Sequence, residues 1–275
     1  MFDKTNKGQW WDFGWKLVEG CTPVSPACKN CWSMAMEKRF RKETGIVFHK
    51  ERLERPLKRK KPASYAIWND LFHEFVKTDQ IAQVFAIMFL NPQHIFQILT
   101  KRPDNALAVF ESKRFKESLH SYCNQFHDKY IRPLEQELYF YDEIINMWPL
   151  ENVWIGVTAE NQEMADKRIP ILLQIPAKVR FVSCEPLLND IQLTYVDNSI
   201  RYEYLTGWKF DINKPSDFDT ANKLNWIIAG PETGPLKRPC KKEWIESLYE
   251  QCKSANVPFF DKKDILGKNI QQYPI

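Results

Sequence analysis

Seven short, almost wholly apolar segments recur along the chain, at residues 15–20, 64–68, 94–100, 152–158, 178–184, 224–230 and 257–262. Each ends in polar or charged residues. Their side chains do not alternate apolar with polar, as strands covered on both faces do not. Helical apolar spacing occupies most of the intervals, at 34–42, 78–90, 104–115, 162–174 and 241–255. Alternating β–α units with buried strands imply a parallel sheet, and right-handed crossovers can roll that sheet into a barrel. Six or seven units predict an α/β fold, a partial (β/α)6–7 TIM-like barrel rather than a complete eightfold one. The 275 residues fit one such domain, residues 1–275. Two segments interrupt the rhythm. Residues 116–150 read as a helical insertion, and residues 188–222, rich in Tyr, Asp and Asn, as a lid or small subdomain.

Composition excludes several classes. A chain that is 44% hydrophobic and 14% aromatic is not disordered. No apolar run approaches the roughly 20 residues that span a bilayer. The opening MFDKTNKGQWWDFGW holds no apolar signal core, so a cytoplasmic protein with no membrane partner is expected. Only 9 glycines are present, with no GxGxxG and no GxxxxGK[ST]. Rossmann and P-loop sites need such glycines to bring backbone N–H groups to phosphate, so neither is expected.

Charge is uneven. Eleven basic and four acidic residues between Glu37 and Lys61 give that stretch +7, in a chain whose net charge is +4. A concentrated basic patch attracts polyanions, so nucleic-acid contact is one reading. A solvated helix face and loop is the other.

The seven cysteines are an odd number without a secretory signal, which argues against a disulfide framework. Three are packed together as Cys21-x6-Cys28-x2-Cys31 in GCTPVSPACKNCW. Two thiolates in a CxxC can reach one metal centre, and a third nearby points to metal binding. Structural zinc wants four closed ligands, and there is no second CxxC. Zinc completed by a distant Cys or His stays open. A [4Fe–4S] cluster on three thiolates would leave one iron free for a substrate or cofactor.

In β–α barrels the chemistry sits at the C-terminal ends of the strands. Those ends carry Asn69 and Asp70, Lys101 and Arg102, Thr158 and Glu160, Ser183 and Glu185, and Gly230 and Glu232, with Asp261-Lys262-Lys263 after the last strand. A rim of carboxylates beside a Lys-Arg pair suits a zwitterionic, ribose-bearing ligand.

These residues resemble a known family. The blocks GCTPVSPACKNCW, NDLFHE, FQILTKRP, NVWIGVTAENQ, RFVSCEPLL, WIIAGPETGP and VPFF cover nearly the whole chain outside 116–150 and 188–222. In order, they are similar to those of a phage- and prophage-associated family of unassigned function. That family is defined by its three-cysteine Cx6CxxC signature and grouped with radical S-adenosylmethionine (SAM) enzymes. The chain departs from its pattern at Trp32, where tyrosine is usual, at Pro231, where a second glycine is usual, and at Asp261-Lys262.

The resemblance implies a barrel of the radical SAM type with Cys21, Cys28 and Cys31 on a [4Fe–4S] cluster. SAM would be the second cofactor, cleaved reductively to start radical chemistry. An electron donor such as flavodoxin or ferredoxin would supply the electron, and the phage association with the basic Glu37–Lys61 stretch favours a nucleotide or nucleic acid over a peptide as substrate. Asn69, Asp70, Lys101, Arg102, Thr158, Glu160, Ser183, Glu185, Gly230 and Glu232 are the candidate cofactor contacts. Asn69, Asp70, Glu185 and Glu232 would serve the amino and ribose groups, and Lys101 and Arg102 a carboxylate. The alternative is a metal-stabilised (Fe–S or zinc) nucleic-acid-binding module without catalysis. A barrel zinc hydrolase would have to draw on His73 and His94, which also read as ordinary polar or packing residues.

Overall fold

The structure, a computed structural model, describes residues 8–39, 45–130 and 148–274. In chain order the strands are β1 (Phe13–Trp15), β2 (Val18–Glu19), β3 (Val47–Phe48), β4 (Ser64–Ile67), β5 (Ile95–Thr100), β6 (Val153–Thr158) and β7 (Val179–Cys184). They continue with β8 (Thr194–Asp197), β9 (Ile200–Glu203), β10 (Trp208–Asp211), β11 (Lys214–Thr220), β12 (Trp226–Ala229) and β13 (Phe259–Asp261). Seven form one sheet in the order β1-β4-β5-β6-β7-β12-β13, parallel at each pairing. The sheet curls into a half-barrel. The seven apolar runs are thus the seven sheet strands, with one shift.

Both faces of the sheet are covered, which is why the strands are apolar throughout. Towards the helices, Phe96, Ile98, Ile155, Val182, Ile227 and Phe259 share a core with Val84, Phe85, Ile169 and Leu248. Towards the inside of the curl, Trp154, Phe181, Trp226, Ile228 and Phe260 pack around Trp10. Gln97 on the same inner face donates from Nε2 to the Trp10 carbonyl at 3.1 Å. The segment before β1 therefore fills the space that a closed barrel would fill with side chains.

The shift concerns the first strand. The run 15–20 is broken after Trp15, where Leu17 N–H turns back to the Trp15 carbonyl at 3.0 Å. Only Phe13–Trp15 joins the main sheet, while Val18–Glu19 pairs antiparallel with Val47–Phe48. The apolar pattern runs through the break because Trp15, Leu17 and Val18 are all buried.

The expected helix 104–115 is two helices, Pro103–Glu111 and Lys113–Tyr130, separated at Ser112, whose backbone is extended. The second enters the segment read as a helical insertion. It lies on the helix Thr78–Phe89 and buries Phe115, Leu119, Cys123 and Phe126 in the main core. Residues 116–130 thus belong to the helical layer, and 131–147 lie outside the described residues. The helix expected at 34–42 begins at Trp32 and is described to Arg39.

Residues 188–222 hold a four-stranded antiparallel sheet, ordered β11-β10-β9-β8. It is tied to the helix Lys242–Ser254, where the Gln251 side chain bonds both Leu193 N–H and the Ile191 carbonyl. It is also tied to the helix Gln162–Leu172, where Gln162 bonds Gln192.

An open sheet has two edges that would template further pairing. At β1 the basic stretch provides cover: Arg52 donates to the Lys16 carbonyl and Arg55 to the Gly14 carbonyl, both at 3.1 Å. The Arg59 guanidinium lies 4.7 Å from the Phe13 ring centroid. At β13 the chain end folds back, with an antiparallel bridge from Phe260 to Gln271. Among the described residues no helix is long and apolar enough to cross a membrane.

Gly156 on β6 leaves room for the buried Phe181 ring, which a Cβ would meet at 2.5 Å. Gly156→Ala should therefore overpack the inner face and cost about 1–3 kcal/mol. Urea unfolding should report this as a lower midpoint at unchanged slope.

Candidate functional site

A cavity of about 310 Å³ opens at the C-terminal ends of the sheet strands. Cys21, Cys28 and Cys31 all line it, as do Asn69, Asp70, Lys101, Arg102 and Thr158. Glu160, Ser183, Glu185, Gly230 and Glu232 are not among its lining residues. One wall is aromatic, built from Trp10, Trp11, Trp32 and Trp68. Trp32 and Trp68 meet edge to face at 5.0 Å, and the Lys16 ammonium lies 4.3 Å from the Trp68 ring centroid.

The cysteine segment has little regular structure of its own, a short 3-10 turn at Pro26–Asn30 before the helix Trp32–Arg39. Three carboxylates, each from the end of a different strand and each paired with an arginine, hold it in place.

At the end of β4, Asp70 is saturated. It accepts from Phe72 N–H (3.1 Å), Thr100 Oγ1 (2.7 Å), Lys101 N–H (3.0 Å) and Arg102 Nη1 (3.1 Å). Arg102, 7% exposed, commits its whole fork. Besides Asp70 it reaches Glu74 (3.0 Å), the Thr22 carbonyl (3.0 Å), Thr22 Oγ1 (2.7 Å) and Cys21 Sγ (3.9 Å). His73, also buried, bonds Thr22 Oγ1 through Nε2 at 2.9 Å. Burial, followed by the Arg102 charge, holds His73 below its ordinary value.

After β6, Glu160 is 0% exposed. Its carboxylate accepts from Ala27 N–H and from Arg168 Nη1, both at 3.0 Å. Burial would raise its pKa, but the Ser25 hydroxyl, Ala27 N–H and Arg168 outweigh it and hold the group below the usual carboxylate range. After β12, Glu232 accepts from Arg238 Nε (3.0 Å), Arg238 N–H (2.7 Å) and Asn30 Nδ2 (3.0 Å). Arg238 also donates to the Pro26 carbonyl at 3.0 Å. The Arg238 guanidinium, against some burial and with Arg238 N–H and Asn30 helping, brings Glu232 down to about 2.

Thr22, Ala27 and Asn30 are thus fixed from three sides, and the three thiols with them. Burial would raise the Cys28 thiol, but hydrogen bonding at Val24, the Lys101 charge and Ser25 leave it below its ordinary value. Burial holds Cys21 above its ordinary value against the pull of Arg102. Among the described residues no three His, Cys, Asp or Glu side chains form a group placed to hold one metal ion.

The other candidates fall as follows. Asn69 adopts φ 59°, and its amide bonds Ser33 Oγ (3.0 Å) and the Val18 carbonyl (3.1 Å). Glu185 pairs with Lys262 at 2.7 Å and accepts from Ser183 Oγ at 3.2 Å and Trp10 Nε1 at 3.3 Å, on the inner side of the sheet. Gly230 keeps that corner open, since a Cβ there would sit 3.1 Å from Glu185 Oε1. Thr158 is buried beside the cavity. The Lys101 ammonium makes no hydrogen bond or ion pair among the described residues, and its charge acts on the Cys28 thiol. His94 bonds the Pro56 and Arg59 carbonyls, away from the cavity.

Sequence reasoning missed Trp10, Trp11 and Trp68 as wall residues, and Arg168 and Arg238 as carboxylate partners. The adjacent Trp10-Trp11 pair was the available signal. No spacing rule connects Glu232 to Asn30.

The sequence matches, over residues 5–270, a family described as a protein of unknown function (DUF5131). No curated protein and no solved structure matches the chain.

The Glu232 pair gives a pH prediction. A carboxyl held near 2 against an ordinary 4.5 contributes stability that is complete above about 4.5 and is lost as pH falls towards 2. Glu232→Gln should lower the thermal midpoint at pH 6. The gap to the wild type should narrow steadily in scans taken from pH 4.5 downwards.

Proposed function

We propose that this chain, which belongs to the DUF5131 family, is an iron–sulfur enzyme of the radical SAM type, with Cys21, Cys28 and Cys31 as the ligands of a [4Fe–4S] cluster. One observation carries the reading: three thiols open onto a single cavity, on a loop fixed by three buried or nearly buried carboxylates. The donor set fits a cluster better than zinc. A zinc ion draws its sulfurs to about 2.3 Å from one centre, whereas a cluster gives each thiolate its own iron. Three thiols and, among the described residues, no histidine line the cavity, a donor set that suits three irons of a cluster better than a four-ligand zinc site.

The cluster, once reduced by a donor such as flavodoxin or ferredoxin, would supply the electron that cleaves SAM to methionine and a 5′-deoxyadenosyl radical. The chain's own contribution is binding and exclusion. Lys101 offers an uncommitted ammonium to a carboxylate or phosphate at the cavity. Trp11, Trp32 and Trp68 line the cavity with aromatic surface suited to a planar ring, which favours a nucleotide or nucleic-acid substrate. Arg102 directs a donor at Cys21 Sγ, which works against the burial that raises this thiol. Asp70, Arg102, Glu160 and Glu232 are assigned to positioning the loop, because their hydrogen-bonding capacity is already engaged.

Anaerobic preparation should yield about four irons per chain. Cys21→Ser, Cys28→Ser and Cys31→Ser should each lose them, and Cys123→Ser should not. The reduced protein should turn SAM into 5′-deoxyadenosine, and Lys101→Ala should weaken SAM binding without changing iron content. Full iron in the Cys21 variant, or no SAM binding by iron-loaded protein, would sink the assignment.

The exposed Lys58, Lys60 and Lys61 favour a second reading, a metal-stabilised module that binds nucleic acid without catalysis. Binding through them should weaken steeply with salt, since each neutralised phosphate releases a counterion. Reversing the three to Glu should remove binding and leave the iron in place. Equal binding by that variant would assign these lysines to solvent alone.

A further inference from the structure

The basic stretch and the cysteine cavity are joined along one edge of the main sheet. β1 is the edge strand, and its C-terminal end lies beside that of β4, whose following residues Trp68, Asn69 and Asp70 line the cavity. Three arginines stand along β1 in sequence order. Arg52 is at the Lys16 carbonyl, Arg55 at the Gly14 carbonyl and Arg59 over the Phe13 ring. The row therefore starts at the rim and runs back along the strand, at roughly 3.3 Å per residue. Lys60 and Lys61, both exposed, follow Arg59. At the rim the Lys16 ammonium rests on Trp68, 4.3 Å from the ring centroid, and Trp68 meets Trp32 edge to face. Trp32 lines the cavity and is 52% exposed.

Among the described residues, the carboxylates around this row are engaged. Glu19 and Glu51 hold the two ring nitrogens of His49, at 2.9 and 2.8 Å. Glu54 pairs with Lys129 at 3.0 Å, and Asp12 accepts from Ser64 N–H and Oγ. Glu51 also reaches Arg52 Nε at 3.4 Å. Lys16, Arg55, Lys60 and Lys61 form no ion pair among the described residues. A guanidinium carries five N–H donors, so the single bond from Arg55 to the Gly14 carbonyl leaves most of its fork for a further acceptor.

Cations spaced along an edge fit a chain of phosphates, where a single phosphate would need only one of them. An exposed indole at the head of the row, at the mouth of a cavity with aromatic walls, fits a base. A duplex keeps its bases paired and stacked, so only a strand with free bases can lay one on Trp32 while its backbone follows the edge. An acidic peptide would meet the cations and leave Trp32 without a ring partner.

We propose that the cavity takes its substrate as a single-stranded nucleic acid, whose backbone lies along the β1 edge on Lys16, Arg52, Arg55, Lys60 and Lys61 and whose leading base stacks on Trp32. This rests on the preceding reading in taking the cavity as the place of chemistry. Fluorescence anisotropy of labelled single-stranded dodecamers, deoxy and ribo, tests it on the full chain, with iron content and 5′-deoxyadenosine release measured on the same preparation. Binding by either strand supports the proposal and names the polymer, and a blunt duplex of equal length should bind about tenfold more weakly. The triple variant Lys16→Gln/Lys60→Gln/Lys61→Gln should lower the slope of log affinity against log salt by about 2, at roughly 0.7 per phosphate contact on a single strand. Trp32→Ala should keep the slope and weaken binding about tenfold, the loss of one stacked base. All four side chains are exposed, so the thermal midpoints should stay at the wild-type value. Equal binding of the duplex, an unchanged slope in the triple variant or full affinity in Trp32→Ala would overturn the proposal. So would polyglutamate that displaces the strand at equal charge. Iron-loaded protein that cleaves SAM and fails these tests overturns this proposal alone. Protein that passes them and takes up no iron overturns only the cluster assignment.

Discussion

Everything at the cysteine loop depends on buried carboxylates meeting arginines. Asp70, Glu160 and Glu232 come from the ends of three non-adjacent strands, and each reaches the loop directly or through its arginine. Taking such ions out of water is costly, and the pairs persist only because nearly every lone pair and N–H is used. The gain is placement. A loop with two prolines and a single short turn cannot fix three thiols by its own hydrogen bonds, so the rim of the sheet does it. The same economy explains why these acidic residues offer little to a ligand: they are occupied in holding the site open.

The half-barrel sets where that rim can be. With the sheet curled but not closed, its inner face is filled by Trp10 against Phe181 and Trp226, in edge-to-face contacts of 5.6 and 5.8 Å. The cysteine cavity sits above this plug, so its wall inherits Trp10 and Trp11. The uncommitted Lys101 ammonium is then the cation most available to a bound anion among the lining groups, since Arg102 is fully engaged.

Much of this was legible in the sequence. The seven apolar runs became the seven sheet strands because burial on both faces leaves a local signature in every strand. The polar residues after each run did gather at one end, and the three cysteines did come to one cavity. What stayed hidden was partnership. Asp70, Glu160 and Glu232 read as free acids because their arginines are placed by the fold: Arg168 about two turns into the helix that follows its strand, Arg238 across a loop. The basic stretch read as one patch, yet Arg52 and Arg55 are engaged on the Lys16 and Gly14 carbonyls at the β1 edge, which only pairing order reveals. The break after Trp15 was invisible for a related reason, since burial continues on both sides of it. The division at Ser112 and the sheet at 194–220 were missed because neither interrupts or imposes a strong period.

The span of the three anchors along the chain carries a kinetic consequence. Ala27 is held from 133 residues away and Asn30 from 202. Contacts so distant in sequence form only after the intervening segments have closed, because loop-closure entropy must be met first. The cysteine loop therefore becomes ordered late, after β12 has joined the sheet. A nascent or truncated chain that ends before Glu232 would carry all three thiols and still lack the arrangement that presents them together. The common placement of the three thiols is thus a property of a chain that extends at least through Glu232 and Arg238.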